Sequence, residues 1–362
     1  MLMKRGSSLS PKNLALLACV ALSFCLAGKL GLRVVAFVHP SVTPIWIPSG
    51  IAVAAFVLFG YRVWPAILIG DFLDHVTTDG FELASFLIPI AATLEAFTAA
   101  YFVNRFAHGR KAFDTARDVF RFVLFACICA PSISATLGAS LEHLRGNLGG
   151  IDLGSRWLTW WLAYGVGTLL VAPFFILLFR ASHHRMNGRE FGELTVLLLG
   201  LIFACLLVFG PLSLSLNKNQ VVQVWVCVPF LIWAAFRFCP LEAAGTTLIL
   251  FGSAIGGTLY GYGSFIAKNL TTSLILLDTF IGVIGTMTLV VAAMVVERRN
   301  IECELLGTQS LLQKTVEKKE QDLAVTVRAL EVEMTGHVQT KRALRESDDL
   351  LRRIGPTTEP AE

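Results

Sequence analysis

Five ionisable side chains stand inside otherwise apolar runs of this sequence: Lys29 and Arg33, then Asp71, Glu95 and Asp278. Lys29 and Arg33 are four residues apart and therefore share one helix face. A charge in the middle of a membrane helix costs about 3 kcal/mol on insertion scales, so each of these groups has to be paired, hydrated or used. Two chemistries fit. Lys29 or Arg33 can pair with Asp71 or Glu95, which neutralises buried charge and fixes helix packing. Alternatively, Lys29, Arg33, Asp71 and Glu95 can line an outward-opening pocket, with Trp46 as an apolar wall, that binds a small polar ligand.

Catalytic and metal chemistry are not legible. No nucleophile and base stand in a recognisable arrangement. His39, His75 and His143 all face outward near Asp74, Asp79 and Glu142 in the expected topology and could in principle bind a metal, but no metal-ligand spacing links them. The eight cysteines form no CxxC pair and sit mostly within apolar runs, where they read as small hydrophobes. No catalytic residue, metal or other cofactor is expected, and nothing in the sequence points to nucleic acid.

The elements that must position these groups are membrane helices. Of the 362 residues 55% are hydrophobic and only 15% charged, with a mean hydropathy of +0.66, which excludes an ordinary soluble domain. Apolar segments fall at about 13–38, 46–60, 63–76, 83–105, 118–141, 157–180, 192–216, 221–236, 240–261 and 271–296. The first is too long for a cleaved signal peptide and reads as an uncleaved first helix. Segments 46–60 and 63–76 are short and form either two spans or one bent, re-entrant element, which gives an all-α, polytopic transmembrane bundle of 8–10 spans.

Placing the N-terminus in the cytoplasm puts Arg62, then Arg105, Arg110, Lys111, Arg117 and Arg121, then Arg180, Arg185 and Arg189, then Arg237, Arg298 and Arg299 on the inner side. Asp74, Asp79, Glu82, Glu142 and Asp152 then fall in outward connections, with Arg145 and Lys218 as exceptions. The positive-inside rule therefore predicts that both termini are cytoplasmic.

Structural rather than chemical roles are expected for Pro48, Arg62, Pro65, Arg237 and Pro240. Each arginine precedes a proline-led helix at an inner turn, where it can bond freed carbonyls or reach lipid phosphates. GxxxG spacings at Gly252/Gly256 and Gly257/Gly261 predict close helix packing. A shift of 175 residues lays Arg62, Pro65, Gly70 and Leu73 on Arg237, Pro240, Gly245 and Leu248, which raises a parallel internal repeat.

From Glu297 the composition turns charged, with no proline before residue 356. The column Val316, Leu323, Leu330, His337, Leu344, Leu351 is apolar at five of six positions, whereas Gln313, Glu320, Val327, Met334, Lys341, Asp348 is apolar at two. This half-formed heptad seam predicts a cytoplasmic, coiled-coil-like helix that pairs weakly, or in one state only, as a homodimer through residues 316–351. The expected organisation is a cytoplasmic segment at 1–12, a membrane domain at 13–296, a signalling helix at 297–354 and a disordered tail at 355–362.

The stretch WIPSGIAVAAFVLFGYRVWPAILIGDFL, with Trp46, Pro48, Ser49, Gly50, Gly60, Arg62, Trp64, Pro65 and Gly70, followed by many spans and an ERR-led helix, resembles the membrane-associated sensor domain of the first MASE type. The family's usual Trp-Pro-Pro is here Trp46-Ile47-Pro48. The resemblance implies a sensory input module of bacterial signalling proteins in the inner membrane, joined to kinase, cyclase or PAS outputs as in two-component systems. TKRALRESDDLLRRI resembles the lead-in to a PAS domain, and the chain stops where an output would begin, so a truncated sensor or an output in another polypeptide is expected. The input would be a small ligand or a membrane partner. A transporter of a small polar solute is the rival reading, since broken helices and midplane charges are also transporter features.

Overall fold

A computed structural model describes residues 11–36, 45–146, 152–181, 187–211, 224–267, 270–353 and 355. The expected N-terminal segment before Pro11 and the polar tail after Gly355 lie outside them. Among the described residues there is no strand, and each of the ten apolar segments falls on helix. We number the helices α1 (Pro11–Ala36), α2 (Ile47–Phe59), α3 (Trp64–Asp79), α4 (Ala84–Phe106), α5 (Ala116–Phe122), α6 (Pro131–Leu144), α7 (Leu153–Arg180), α8 (Gly188–Phe209), α9 (Val228–Arg237), α10 (Pro240–Leu259) and α11 (Leu270–Arg353).

Among the described residues six stretches are long and apolar enough to cross a membrane: α1, α4, the α5–α6 stretch, α7, α8 and α11. The chain is thus a polytopic helical bundle with a long C-terminal helix. α2 and α9 are shorter. Residues 46–60 and 63–76, which sequence left as one element or two, are two helices joined by a single 3-10 turn, Tyr61–Val63.

α2 has a reason to be short. Ala52 to Leu58 are all buried, so this helix is apolar on every face because every face meets protein. Pro48 stands in its first turn, where a missing N–H costs nothing, and Gly60 ends it at φ +79°, a conformation that a Cβ would oppose. The carbonyls left free at that end accept from basic side chains: Phe59 O from Arg62 Nε at 3.1 Å, and Leu58 O from Arg110. Pro65 opens α3 and Pro240 opens α10 in the same way.

α2 lies along α7 at backbone distance. A Cβ on Gly167 would stand 2.1 Å from Trp46 O, and one on Gly50 would stand 2.5 Å from Gly167 O. α7 is also the wall between two apolar cores. Leu169, Ala172 and Ile176 face the core around α2, whereas Val166, Leu170 and Val171 face a second core made with α8, α10 and α11. At Gly252 and Gly256 an added Cβ would meet nothing within 4 Å, so the expected close packing is not found there; at Gly257 it would meet Phe209 O at 2.3 Å.

The α5–α6 stretch is broken by a π-helical segment, Val123–Cys129. At its end Ala130 N donates five residues back to Phe125 O at 3.0 Å, the Trp161 indole donates to Ile128 O at 2.8 Å, and Pro131, which has no N–H, opens the helix that follows.

The chain divides into two compact units at Arg298 and Arg299, and α11 runs through that boundary. In the second unit every apolar residue of the heptad columns is exposed, Leu323, Leu330, Leu344 and Leu351 included.

Candidate ligand-binding site

Trp46 marks the start of α2, and its neighbours explain the WIPSG run. Trp46 N donates to Ala163 O at 2.9 Å, and the Ser49 hydroxyl lies 2.8 Å from Trp46 O and 3.0 Å from Tyr164 O. Thr168 Oγ1 reaches Ser49 Oγ at 3.2 Å. Ser49 therefore satisfies carbonyls on both helices, and Gly50 lets the backbones close. With the entry angle of α2 fixed, the Trp46 ring is buried and stacks on Tyr164, with centroids 6.0 Å apart and planes at 21°. Trp160, Ala92 and Leu32 complete this apolar corner. The indole N–H of Trp46 has no hydrogen-bond partner.

Beside the corner stand three buried carboxyl groups. Asp71 and Asp74, both 0% exposed, come from α3, and Glu95, 1% exposed, from α4. Asp71, Asp74 and Glu95 all interact electrostatically with the Tyr164 hydroxyl, and Asp71 also with Glu95. Ser134 of α6 sets its hydroxyl beside the Glu95 carboxyl.

The pairing differs from the sequence expectation. Lys29 pairs with Asp74 at 3.6 Å, rather than with Asp71 or Glu95, and donates to Thr78 Oγ1 at 2.7 Å and Asp74 O at 3.3 Å. Asp74 was read from sequence as part of a connection; it is instead a fully buried helix residue, pressed on α1 where a Cβ at Gly28 would stand 2.2 Å from Asp74 Oδ2. Asp71 meets His75, one turn on, at 3.6 Å. The side chain of Arg33 lies outside the described residues, as does His39. Trp46, Lys29, Asp71 and Glu95 are thus brought to one region by α1, α2, α3 and α4.

Four members of the cluster were not assigned to it from the sequence. Asp74 and His75 are three and four residues after Asp71, so helical periodicity alone put them on its face. Ser134 and Tyr164 arrive from α6 and α7, and no local signal marks them. Asp278, by contrast, is far from the cluster in its contacts: it is buried on α11 in the second core with one carboxyl oxygen unpartnered. Among the described residues no group of three His, Cys, Asp or Glu is close enough to hold a metal ion.

The structural anchors divide. Arg62 stays exposed and caps α2, whereas Arg237 lies 2.5 Å from Glu193 of α8 and over the Phe238 ring. At the same end of the bundle as Arg62, Arg180 pairs with Asp114, His108 with Asp118, and Glu297 of α11 accepts from Ala116 N at 3.4 Å.

The family model of MASE1, a membrane-associated sensor domain, matches residues 15–299, from the first turns of α1 to the boundary between the two units. The chain belongs to the MASE1 family. No curated protein and no solved structure matches it. As a MASE1 domain the bundle is a sensory membrane module of signalling proteins rather than a catalytic one, and the Trp46–Gly50 run lies where its α2 and α7 are locked together.

Proposed function

We propose that this chain is the input half of a transmembrane signalling protein. A small polar ligand or a membrane partner acts at the cluster of Lys29, Arg33, Trp46, Asp71 and Glu95 and biases two packings of the bundle, and α11 carries the change to an output domain. The observation that supports this reading most is the continuity of α11. One unbroken helix starts in the apolar core, passes Asp278 and Glu297, and continues into an exposed heptad seam. A transporter has no use for such a helix. In this reading the chain has no catalytic activity of its own and sits in the bacterial inner membrane with both termini in the cytoplasm, as the arginines gathered at Arg62, Arg110, Arg121 and Arg180 favour. Residues 316–351 pair with a second copy, as their exposed leucines favour.

The test uses the full chain in liposomes, with Cys303 replaced by Ser and a single Leu323→Cys or Leu330→Cys substitution. Disulfide crosslinking between copies should form, and its rate should change in the charge-neutralised variants Asp71→Asn and Glu95→Gln. Absence of crosslinking, or a rate indifferent to both variants, overturns the relay. Saturable flux of a small solute through the same liposomes would establish the transporter instead.

A further inference from the structure

The charges of the cluster are unevenly matched, and the mismatch bears on what it takes. Lys29 is committed to Asp74 and Thr78. His75 faces Asp71. Glu95 feels another carboxylate, Asp71, rather than a cation, and its one neighbouring donor is the Ser134 hydroxyl; Glu95 Oε2 and Asp71 Oδ2 lack hydrogen-bond partners although both residues are nine-tenths or more buried. These two oxygens come from α3 and α4, so they converge from separate helices rather than lining one. Acceptors without donors at full burial are costly, which is a reason to expect a donor that arrives from outside. The adjoining wall is aromatic: Trp46 stacks on Tyr164, whose other neighbour, Trp160, has its centroid 6.3 Å away.

Carboxylates beside aromatic faces are the chemistry that recognises an organic cation: N–H donors or a diffuse positive charge satisfy the acids, and the rings hold the carbon skeleton. An anion would meet two uncompensated acids, and a chelated metal would need a tighter ligand set than the described residues supply. Resting on the sensor reading above, we propose that the ligand of the cluster is a small organic ammonium ion, held by Asp71 and Glu95 against Trp46 and Tyr164, with Lys29 and Asp74 as the fixed frame.

The experiment measures thermal unfolding of the full chain in lipid nanodiscs with ethylammonium, putrescine and choline chlorides as probes, against sodium chloride of equal ionic strength and sodium succinate. At least one amine should raise the melting temperature saturably by several degrees. Asp71→Asn and Glu95→Gln, which keep side-chain shape, should each weaken that binding at least tenfold, whereas Glu193→Gln, whose carboxylate serves Arg237, should leave it unchanged. No saturable shift with any amine, a shift unaltered by both cluster variants, or a shift with succinate alone overturns the proposal. A stabilisation by low pH that both variants abolish, with no effect of amines, identifies the proton as the ligand and also overturns it. Crosslinking at Leu323→Cys separates this outcome from failure of the relay. If the variants change crosslinking but amines do not bind, the sensor reading stands without its cation. Amine binding with indifferent crosslinking leaves the cation site and removes the relay.

Discussion

The two arms of the bundle, α1–α4 and α8–α11, use one turn design for different ends. Each has a short helix, buried on every face in α2 and on one face in α9, an arginine at its end and a proline-led return helix, α3 after Arg62 and α10 after Arg237. The residues that follow the proline then diverge. The shift that aligns Pro65 with Pro240 lays Asp71 on Thr246 and Asp74 on Ile249. Thr246 is buried, but its hydroxyl donates to Glu242 O at 2.7 Å, one turn back on its own helix. Thr247 and Thr258 do the same with Ala243 O and Ala254 O. A hydroxyl inside a membrane helix can thus be satisfied without help from elsewhere. A carboxylate has no proton to give back, so Asp71 and Asp74 depend on Lys29, His75 and whatever else reaches them. At the aligned positions the first arm carries carboxylates that need partners on other helices and the second carries hydroxyls that do not, although α11 of the second arm keeps one buried acid, Asp278, with an oxygen unpartnered.

The largest expected effect comes from the glycines that let α2 reach α7. Gly167→Val would drive a side chain into Trp46 O, which is backbone and cannot step aside. Loss of the folded module is expected, read as a collapsed size-exclusion peak in detergent. Gly252→Val on α10 of the second arm, where a Cβ meets nothing within 4 Å, should keep a normal peak. If both variants behave alike, the close α2–α7 approach is not what organises the first arm.

A smaller contrast isolates the polar groups. Lys29→Met leaves Asp74 buried without its cation, and breaking a buried pair in this way costs about 3 kcal/mol. The ammonium is 27% exposed at its side chain, so solvent screening should bring the loss toward the lower end. Thr246→Val removes only a hydrogen bond within one helix and should cost about 1 kcal/mol or less. Urea unfolding of the two variants in mixed micelles measures the difference. Adding Asp74→Asn to Lys29→Met should recover most of the loss, because the uncompensated charge is then gone. Equal losses in Lys29→Met and Thr246→Val would mean that the arms are alike in their dependence on partners.

These contrasts also show where the sequence was informative. Apolar length and turn residues made most helices visible, because hydropathy and proline or glycine act over a few neighbours, but not the π-helical break between α5 and α6. That Lys29, Asp71, Glu95 and Trp46 would be neighbours followed from their cost in hydrocarbon, which forces such groups together. Which acid Lys29 meets did not follow, since that is decided by the rotation of α1 against α3 at Gly28 and Gly70. Ser134 and Tyr164 were not legible for the same reason: a serine on a small-residue face and a tyrosine in an aromatic run carry no local mark of what a third helix brings beside them. The shortness of α2 was visible but its meaning was not, because a helix buried on all sides and a helix bathed in lipid share one hydrophobicity.

A single added methyl should act with opposite sign in the two arms. Gly70 and Gly245 are matched by the same shift, and both lie within return helices. A Cβ on Gly70 would stand 2.7 Å from Ala21 O and 3.1 Å from Phe24 Cβ, so α1 would have to move away from α3 and would carry Lys29 with it. Gly70→Ala should therefore destabilise by about 1–3 kcal/mol, the usual range for overpacking. A Cβ on Gly245 would meet only Phe174, at an ordinary 3.8 Å. There the gain in helix propensity is unopposed, and Gly245→Ala should stabilise by about 0.5–1 kcal/mol. Opposite shifts in the urea midpoint would show that two copies of one turn have been packed to different tolerances, tight around the carboxylates and loose around the threonines. A stabilised Gly70→Ala would instead mean that the α1–α3 contact yields, and that Lys29 is free to leave Asp74 when the module changes state.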